Sequence, residues 1–150
     1  MTEATISEAQ ATLGALLRRP YERLQARVYA GLAARGFADV RPAHSAVLRY
    51  ILPGGSRVVD LAERAGMTKQ SMAYLAQALA DLGYVTIAGD PDDRRAKRVR
   101  LTDRGHAVWA ALIDLSEREE SRAAARLGRA RLDALRATLR DLAEVIDENA

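Results

Sequence analysis

The chain has 150 residues, 49% hydrophobic and 29% charged, with a formal net charge of +3. That length and balance fit one globular domain and exclude a disordered tail, while the modest basic excess permits an anionic partner without requiring one. The absence of cysteine excludes disulfides, thiol redox sensing and cysteine-ligated zinc.

The first third reads as helix. Ser7 with Gln10 fits a capping box, and apolar residues recur at Leu13, Leu16, Leu17, Tyr21, Leu24, Val28 and Leu32. Pro20 predicts a kink, or a short helix followed by a restarted one, and Gly36 a stop. A second helix is expected after Pro42, carrying Ala43, Val47, Leu48, Ile51 and Leu52 and ending at Pro53-Gly54-Gly55. A short helix then runs from about Arg57 to Ala65 with Ser56 as its N-cap, and Gly66 breaks it. Thr68 caps a longer helix from Lys69 to about Leu82, with Gly83 at its end. Two helices joined by a glycine-containing turn have the spacing of a helix-turn-helix.

The pattern next changes to alternation. Val85 and Ile87 oppose Thr86, and Val99 and Leu101 alternate with Arg98 and Arg100. Between them Asp90-Pro91-Asp92-Asp93 suits a type I turn, so the segment reads as a β-hairpin with a charged tip. Thr102 caps a further helix carrying Val108, Trp109, Leu112 and Leu115. Gly128 is a weak break, after which Leu132, Leu135, Leu139, Leu142 and Ile146 form one stripe.

Two features of this middle region carry chemistry. On a helical wheel, Met72, Leu75, Leu79 and Leu82 form an inner face of the 69–82 helix. Gln70, Tyr74, Gln77 and Asp81 lie opposite, with Lys69 and Ser71 flanking the first turn. A recognition helix needs this division: one face packs and the other enters the major groove. Glutamine can pair with adenine, while Thr68, Lys69 and Ser71 suit phosphates or base edges. Secondly, Arg94, Arg95, Lys97, Arg98 and Arg100 place five cations within seven positions directly after that helix. Such a ribbon can follow a phosphate backbone and put an arginine into a minor groove. A solvated hairpin whose arginines pair with Asp90, Asp92 and Asp93 is the plainer alternative.

Gly66-Met67-Thr68-Lys69-Gln70-Ser71-Met72, Leu82-Gly83-Tyr84-Val85, Asp90-Pro91-Asp92-Asp93-Arg94-Arg95-Ala96-Lys97 and Leu101-Thr102-Asp103-Arg104-Gly105 together resemble the MarR (multiple-antibiotic-resistance regulator) family of winged helix-turn-helix regulators. The resemblance spans roughly 56–105. It implies a mainly α fold with a small β-hairpin wing, in one domain over 1–150, flanked by dimerisation helices at about 6–35 and 106–148. It further implies a homodimeric regulator of transcription, most often a ligand-released repressor, on double-stranded DNA. DNA contacts are then expected from Thr68, Lys69, Gln70, Ser71, Tyr74, Gln77, Arg94, Arg95, Lys97 and Arg98. One departure stands out: Thr86-Ile87-Ala88-Gly89 lacks the arginine that the family often carries after the Gly-Tyr-Val segment.

An effector pocket between terminal helices and winged helix is also implied, with Tyr21, Tyr29, His44, Arg49 and Trp109 as its lining. Aromatic rings with a cation suit a small aromatic anion, although residues of these types more often serve core or interface packing. The apolar stripe of the last helix calls for cover, by a partner chain or by the chain itself. No catalytic motif, metal-ligand spacing or phosphate loop is present, so no enzyme, metal or cofactor is expected. The N-terminus has no signal-peptide pattern, and no apolar run approaches the ~20 residues that span a bilayer, so no membrane partner and a cytoplasmic location are expected. A protein-binding adaptor is the competing reading, and the five wing cations argue against it.

Overall fold

The computed structural model describes residues 11–148. The expected capping box of Ser7 and Gln10, and a helix start near residue 6, lie outside those residues. Helix α1 (Leu13–Ala34) begins at Thr12, whose Oγ1 accepts the Ala15 N–H at 3.4 Å. Pro20 lies inside α1, which is one continuous helix, so the restart expected as one of its two outcomes does not occur. Proline removes a single backbone donor, and the helical bonds on either side, with Val28 and Leu32 buried downstream, hold the rest of the ladder.

The helix after Pro42 is shorter than its apolar spacing suggests. A 3₁₀ turn, Pro42–His44, leads into α2 (Ser45–Leu48), leaving Ile51 and Leu52 beyond its end. The Leu52 N–H turns aside to Ser56 Oγ at 3.0 Å, and the chain swings into a strand. Ser56 is therefore not a helix cap. With Arg57 it forms β1 (Ser56–Arg57), paired to Val99 and Arg98, and Arg57 occupies the N-cap position of α3 (Val58–Ala65) without a side-chain bond to the helix's own N–H groups. Gly66 ends α3 at φ 63°, ψ 34°, a left-handed position that glycine takes without steric cost.

Helix α4 (Lys69–Asp81) leads through Gly83 to β2 (Val85–Gly89) and β3 (Lys97–Leu101), antiparallel with Ile87 opposite Val99. The sheet order is β1-β3-β2, so β3 is central and the wing is three-stranded rather than a bare hairpin. A two-residue strand has no readable alternation, which is why β1 escaped the periodicity argument. Thr102 caps α5 (Asp103–Leu127), accepting the Gly105 N–H at 3.1 Å, and α6 (Arg129–Glu148) follows Gly128.

The core joins Leu32 of α1, Val47 and Leu48 of α2, Leu61 of α3, Met72 and Leu79 of α4, Tyr84, Val99 of β3 and Val108 of α5. Only the C-terminal part of α1 and the N-terminal part of α5 reach it. The remainder of the terminal helices stands out: Leu13, Leu16, Tyr21 and Leu24 on α1 and Leu135, Leu139 and Ile146 on α6 are between 39% and 58% exposed. Helix α6 packs chiefly on α5. Arg27–Glu119 (2.6 Å) and Arg35–Asp114 (2.5 Å) tie α1 to α5, but surface ion pairs of this kind contribute at most about 1 kcal/mol each.

A polar knot fixes the wing's root to the N-terminal segment. The fully buried Tyr84 donates its hydroxyl to Asp39 at 2.5 Å, and Arg104 lies 4.4 Å over the Tyr84 ring while reaching Asp39 at 3.2 Å and the Leu82 carbonyl at 3.0 Å. Burial first, and the Asp39 carboxylate second, push the Tyr84 phenol from 10.0 up to about 12. Between those two values the unfolded chain loses this proton before the folded one, so stability present below pH 10 is lost as pH rises through about 12. Tyr84→Phe should flatten that part of the curve. Urea unfolding across alkaline pH checks this, and an equal alkaline loss in both proteins would contradict it.

Candidate nucleic-acid interface

The helix-turn-helix is built by two local devices. Gly66 reverses the chain after α3, and Thr68 restarts it, its Oγ1 accepting the Ser71 N–H at 3.1 Å and donating to Ser71 Oγ at 2.9 Å. Met72, Ala76 and Leu79 are the residues of α4 that have no exposure, with Leu75 and Leu82 half-buried beside them. Ala76 was missed by the apolar wheel because a methyl group carries little signal, yet it lets α4 approach its neighbours closely. Thr68, Lys69, Gln70, Ser71, Tyr74 and Gln77 are all exposed, Tyr74 at 76%. A large aromatic ring so fully in water has no folding role there. The Gln77 amide donates to Asp81 Oδ1 at 2.9 Å, which leaves its carbonyl oxygen as an outward acceptor.

The wing tip is ordered by its aspartates. Asp93 N–H bonds the Asp90 carbonyl at 3.3 Å, closing the expected turn, while Asp90 Oδ1 accepts the Asp92 N–H at 2.8 Å and Asp93 Oδ1 the Arg95 N–H at 3.0 Å. The side chains of Arg94, Arg95, Lys97 and Arg100 are exposed, and none forms an ion pair within the described residues. Arg98 differs. It is half-buried, with Nε and Nη2 on Asp90 at 3.1 and 2.9 Å and Nη1 on the Gly55 carbonyl at 3.4 Å. Arg57 of β1 reaches the same Asp90 oxygen at 2.8 Å. Hydrogen bonds from Arg57, from the Asp92 N–H and from Arg98 hold this carboxyl far below the usual carboxylate range. Pairing with the buried Asp90 thus accounts for Arg98, and among the described residues Asp92 and Asp93 form no ion pair with Arg94 or Arg95. Arg57 was not singled out in the sequence, because nothing local to it signals a partner 33 positions away.

Of the residues assigned to an effector pocket, three come together. Arg49 Nη2 donates to Tyr21 Oη at 2.8 Å, and the buried Tyr29 hydroxyl sits by Ser45 and Arg49 without a hydrogen bond of good geometry. His44 is buried and its Nδ1 accepts the Arg41 N–H at 2.9 Å, a structural use. Burial lowers its pKa, favouring the neutral ring. Trp109 is half-buried on α5, joined to none of these by a hydrogen bond or ring contact among the described residues. A shallow apolar groove lies instead between α2 and α4, lined by Ala43, Ala46, Met67, Tyr74 and Leu75. Among the described residues no three His, Asp or Glu side chains are grouped to hold a metal, and no helix is long and apolar enough to cross a membrane.

Comparison with known proteins gives a consistent answer. A family model described as MarR family matches residues 38–96, from the loop before α2 through the wing tip. The exopolysaccharide II synthesis transcriptional activator ExpG of Rhizobium meliloti (strain 1021) is 28% identical over 100 residues, 67% of this chain. The chain spans about half (52%) of that curated relative's length. Among solved structures, the transcriptional repressor CouR bound to a 23-mer DNA duplex is 28% identical with a TM-score of 0.75, covering 95% of this chain and 99% of that one. The crystal structure of MarR, 22% identical with a TM-score of 0.74 over 91% of this chain and 98% of that one, shares the fold. Residues 38–96 are thus similar to the MarR family, and the fold over nearly the whole chain is that of solved winged helix-turn-helix regulators of this kind.

Proposed function

We propose that this protein is a sequence-specific DNA-binding regulator of transcription that acts as a homodimer. The observation that carries the reading is the wing: Arg94 and Arg95 are exposed and without ion-pair partners among the described residues, directly after a helix whose polar face is open to solvent. Thr68, Lys69, Gln70, Ser71, Tyr74 and Gln77 face the major groove, and Arg94, Arg95 and Lys97 the flanking backbone and minor groove. The similarity to CouR, whose solved form is DNA-bound, supports this placement. The exposed leucines of α1 and α6 support the dimer, since each apolar Å² buried against a partner is worth roughly 25 cal/mol.

Repression by occupying a pseudo-palindromic operator is the proposed mode, relieved by a small aromatic acid. Its carboxylate would meet Arg49, and its ring Tyr21 and Tyr29. Fluorescence anisotropy across a salt series, on a duplex selected by the protein from a random-sequence pool, tests the whole reading. Tight binding with a steep salt slope, two chains per site and release by a phenolic carboxylate are expected. Monomers in sedimentation at micromolar concentration would sink the dimer, and no selected duplex would leave a protein-binding adaptor in front.

A further inference from the structure

Asp90 is the most deeply buried carboxylate among the described residues, and the reading above gives it no role. Its side chain has no exposure, yet it sits at the base of the segment that carries the wing's free cations. It collects donors from separate stretches of chain. These are Arg57 Nε from β1 at 2.8 Å, Arg98 Nε and Nη2 from β3 at 3.1 and 2.9 Å, and the Asp92 N–H from the tip at 2.8 Å. Its own N–H bonds the Ala96 carbonyl at 2.9 Å. Arg98 also holds the Gly55 carbonyl, so the loop before β1 joins the same cluster.

We infer that Arg57, Asp90 and Arg98 form a clamp that sets the angle of the wing, with Asp90 as the positioning residue that brings Arg94 and Arg95 onto DNA. Arg98 spends its donors inside the protein and acts through Asp90 rather than on a phosphate. A hairpin fixed only by its own ladder can twist, whereas one pinned to β1 at the tip end of that ladder moves with the helix-turn-helix. Arg57 also supplies a cation to the start of the wing tip in a chain whose Thr86–Gly89 segment holds none.

The inference rests on the DNA-binding reading and makes a prediction of opposite sign to simple charge counting. Asp90→Asn removes a negative charge close to DNA, which by electrostatics alone tightens binding. If the residue positions the wing, affinity for the selected duplex falls by about tenfold or more, and the salt slope by about one to two, as phosphate contacts are lost. Asp92→Asn removes the same charge from the same turn outside the clamp, and should bind as wild type or tighter. Arg57→Lys keeps its charge but loses the directed Nε–H, and should bind several-fold more weakly. In both clamp variants amide exchange at residues 94–97 should quicken while α4 stays protected.

Asp90→Asn binding as tightly as Asp92→Asn, or unchanged exchange at the wing, overturns the clamp. Should Asp90→Asn fail to fold, Arg57→Lys decides, and wild-type affinity there overturns it. A wild type that selects no duplex removes the functional reading and the clamp's role together. Loss of binding in an Arg94→Ala, Arg95→Ala double variant, with Asp90→Asn unaffected, removes the clamp alone.

Discussion

On the proposed DNA-binding reading, replacing Arg94 and Arg95 together by alanine should lower affinity for the selected duplex by roughly a thousandfold, with fold and oligomeric state retained. Both side chains are exposed and neither makes an ion pair within the described residues, so their removal breaks no internal contact. Surface changes of that kind stay within about 0.5 kcal/mol of wild-type stability. On DNA the balance reverses. Two contacts per wing would become four in the proposed homodimer, and at about 1 kcal/mol each they sum to about 4 kcal/mol, roughly three decades in Kd. If these contacts are to phosphates, the slope of log affinity against log salt should fall by about 0.9 for each. Anisotropy titrations at several salt concentrations read both quantities, with circular dichroism and sedimentation as controls. Unchanged affinity would contradict the assignment of the wing and favour a protein partner for this fold.

The parts of this chain legible in its sequence were those fixed by local chemistry. Thr68 and Thr102 cap helices where they were expected to, because capping depends on a hydroxyl and an N–H three residues away. The alternation of Val85, Ile87, Val99 and Leu101 marked the hairpin, because a strand with one buried face must alternate. What escaped depends on distant partners. Ser56 looked like a cap and is a strand residue, since its hydroxyl and backbone are taken by Leu52 and β3. The helix restart that Pro20 allowed does not occur, because the residue lies within a continuous helix. The candidate site divides the same way: the exposed face of α4 follows from its wheel, whereas the division of the wing's cations into a half-buried, paired Arg98 and exposed Arg94 and Arg95 depends on Asp90. The knot of Asp39, Tyr84 and Arg104 joins residues up to 65 positions apart and has no local signature at all.

Gly105→Ala should destabilise the protein by about 3 kcal/mol, although alanine is the better helix former by about 1 kcal/mol. Gly105 lies in the first turn of α5, where its N–H is held by Thr102 Oγ1 at 3.1 Å. A Cβ there would stand 2.0 Å from the Tyr84 carbonyl oxygen and 3.0 Å from Leu101 Cδ2. That carbonyl cannot withdraw easily. It accepts the Thr102 N–H at 3.0 Å, and its residue is fully buried with the hydroxyl on Asp39. The start of α5 must therefore lift from the root of the wing, loosening the Arg104 contacts to Leu82 and Asp39 as it goes. A loss of this size lowers Tm by about 10 °C in a chain of this length. Gly54→Ala is the control, since a Cβ at that position meets nothing within 4 Å, and it should leave Tm nearly unchanged. Helix propensity and packing thus predict opposite signs at Gly105. A Tm equal to or above wild type would mean that α5 can shift without cost, and that the contact between its first turn and Tyr84 does not fix the wing's root.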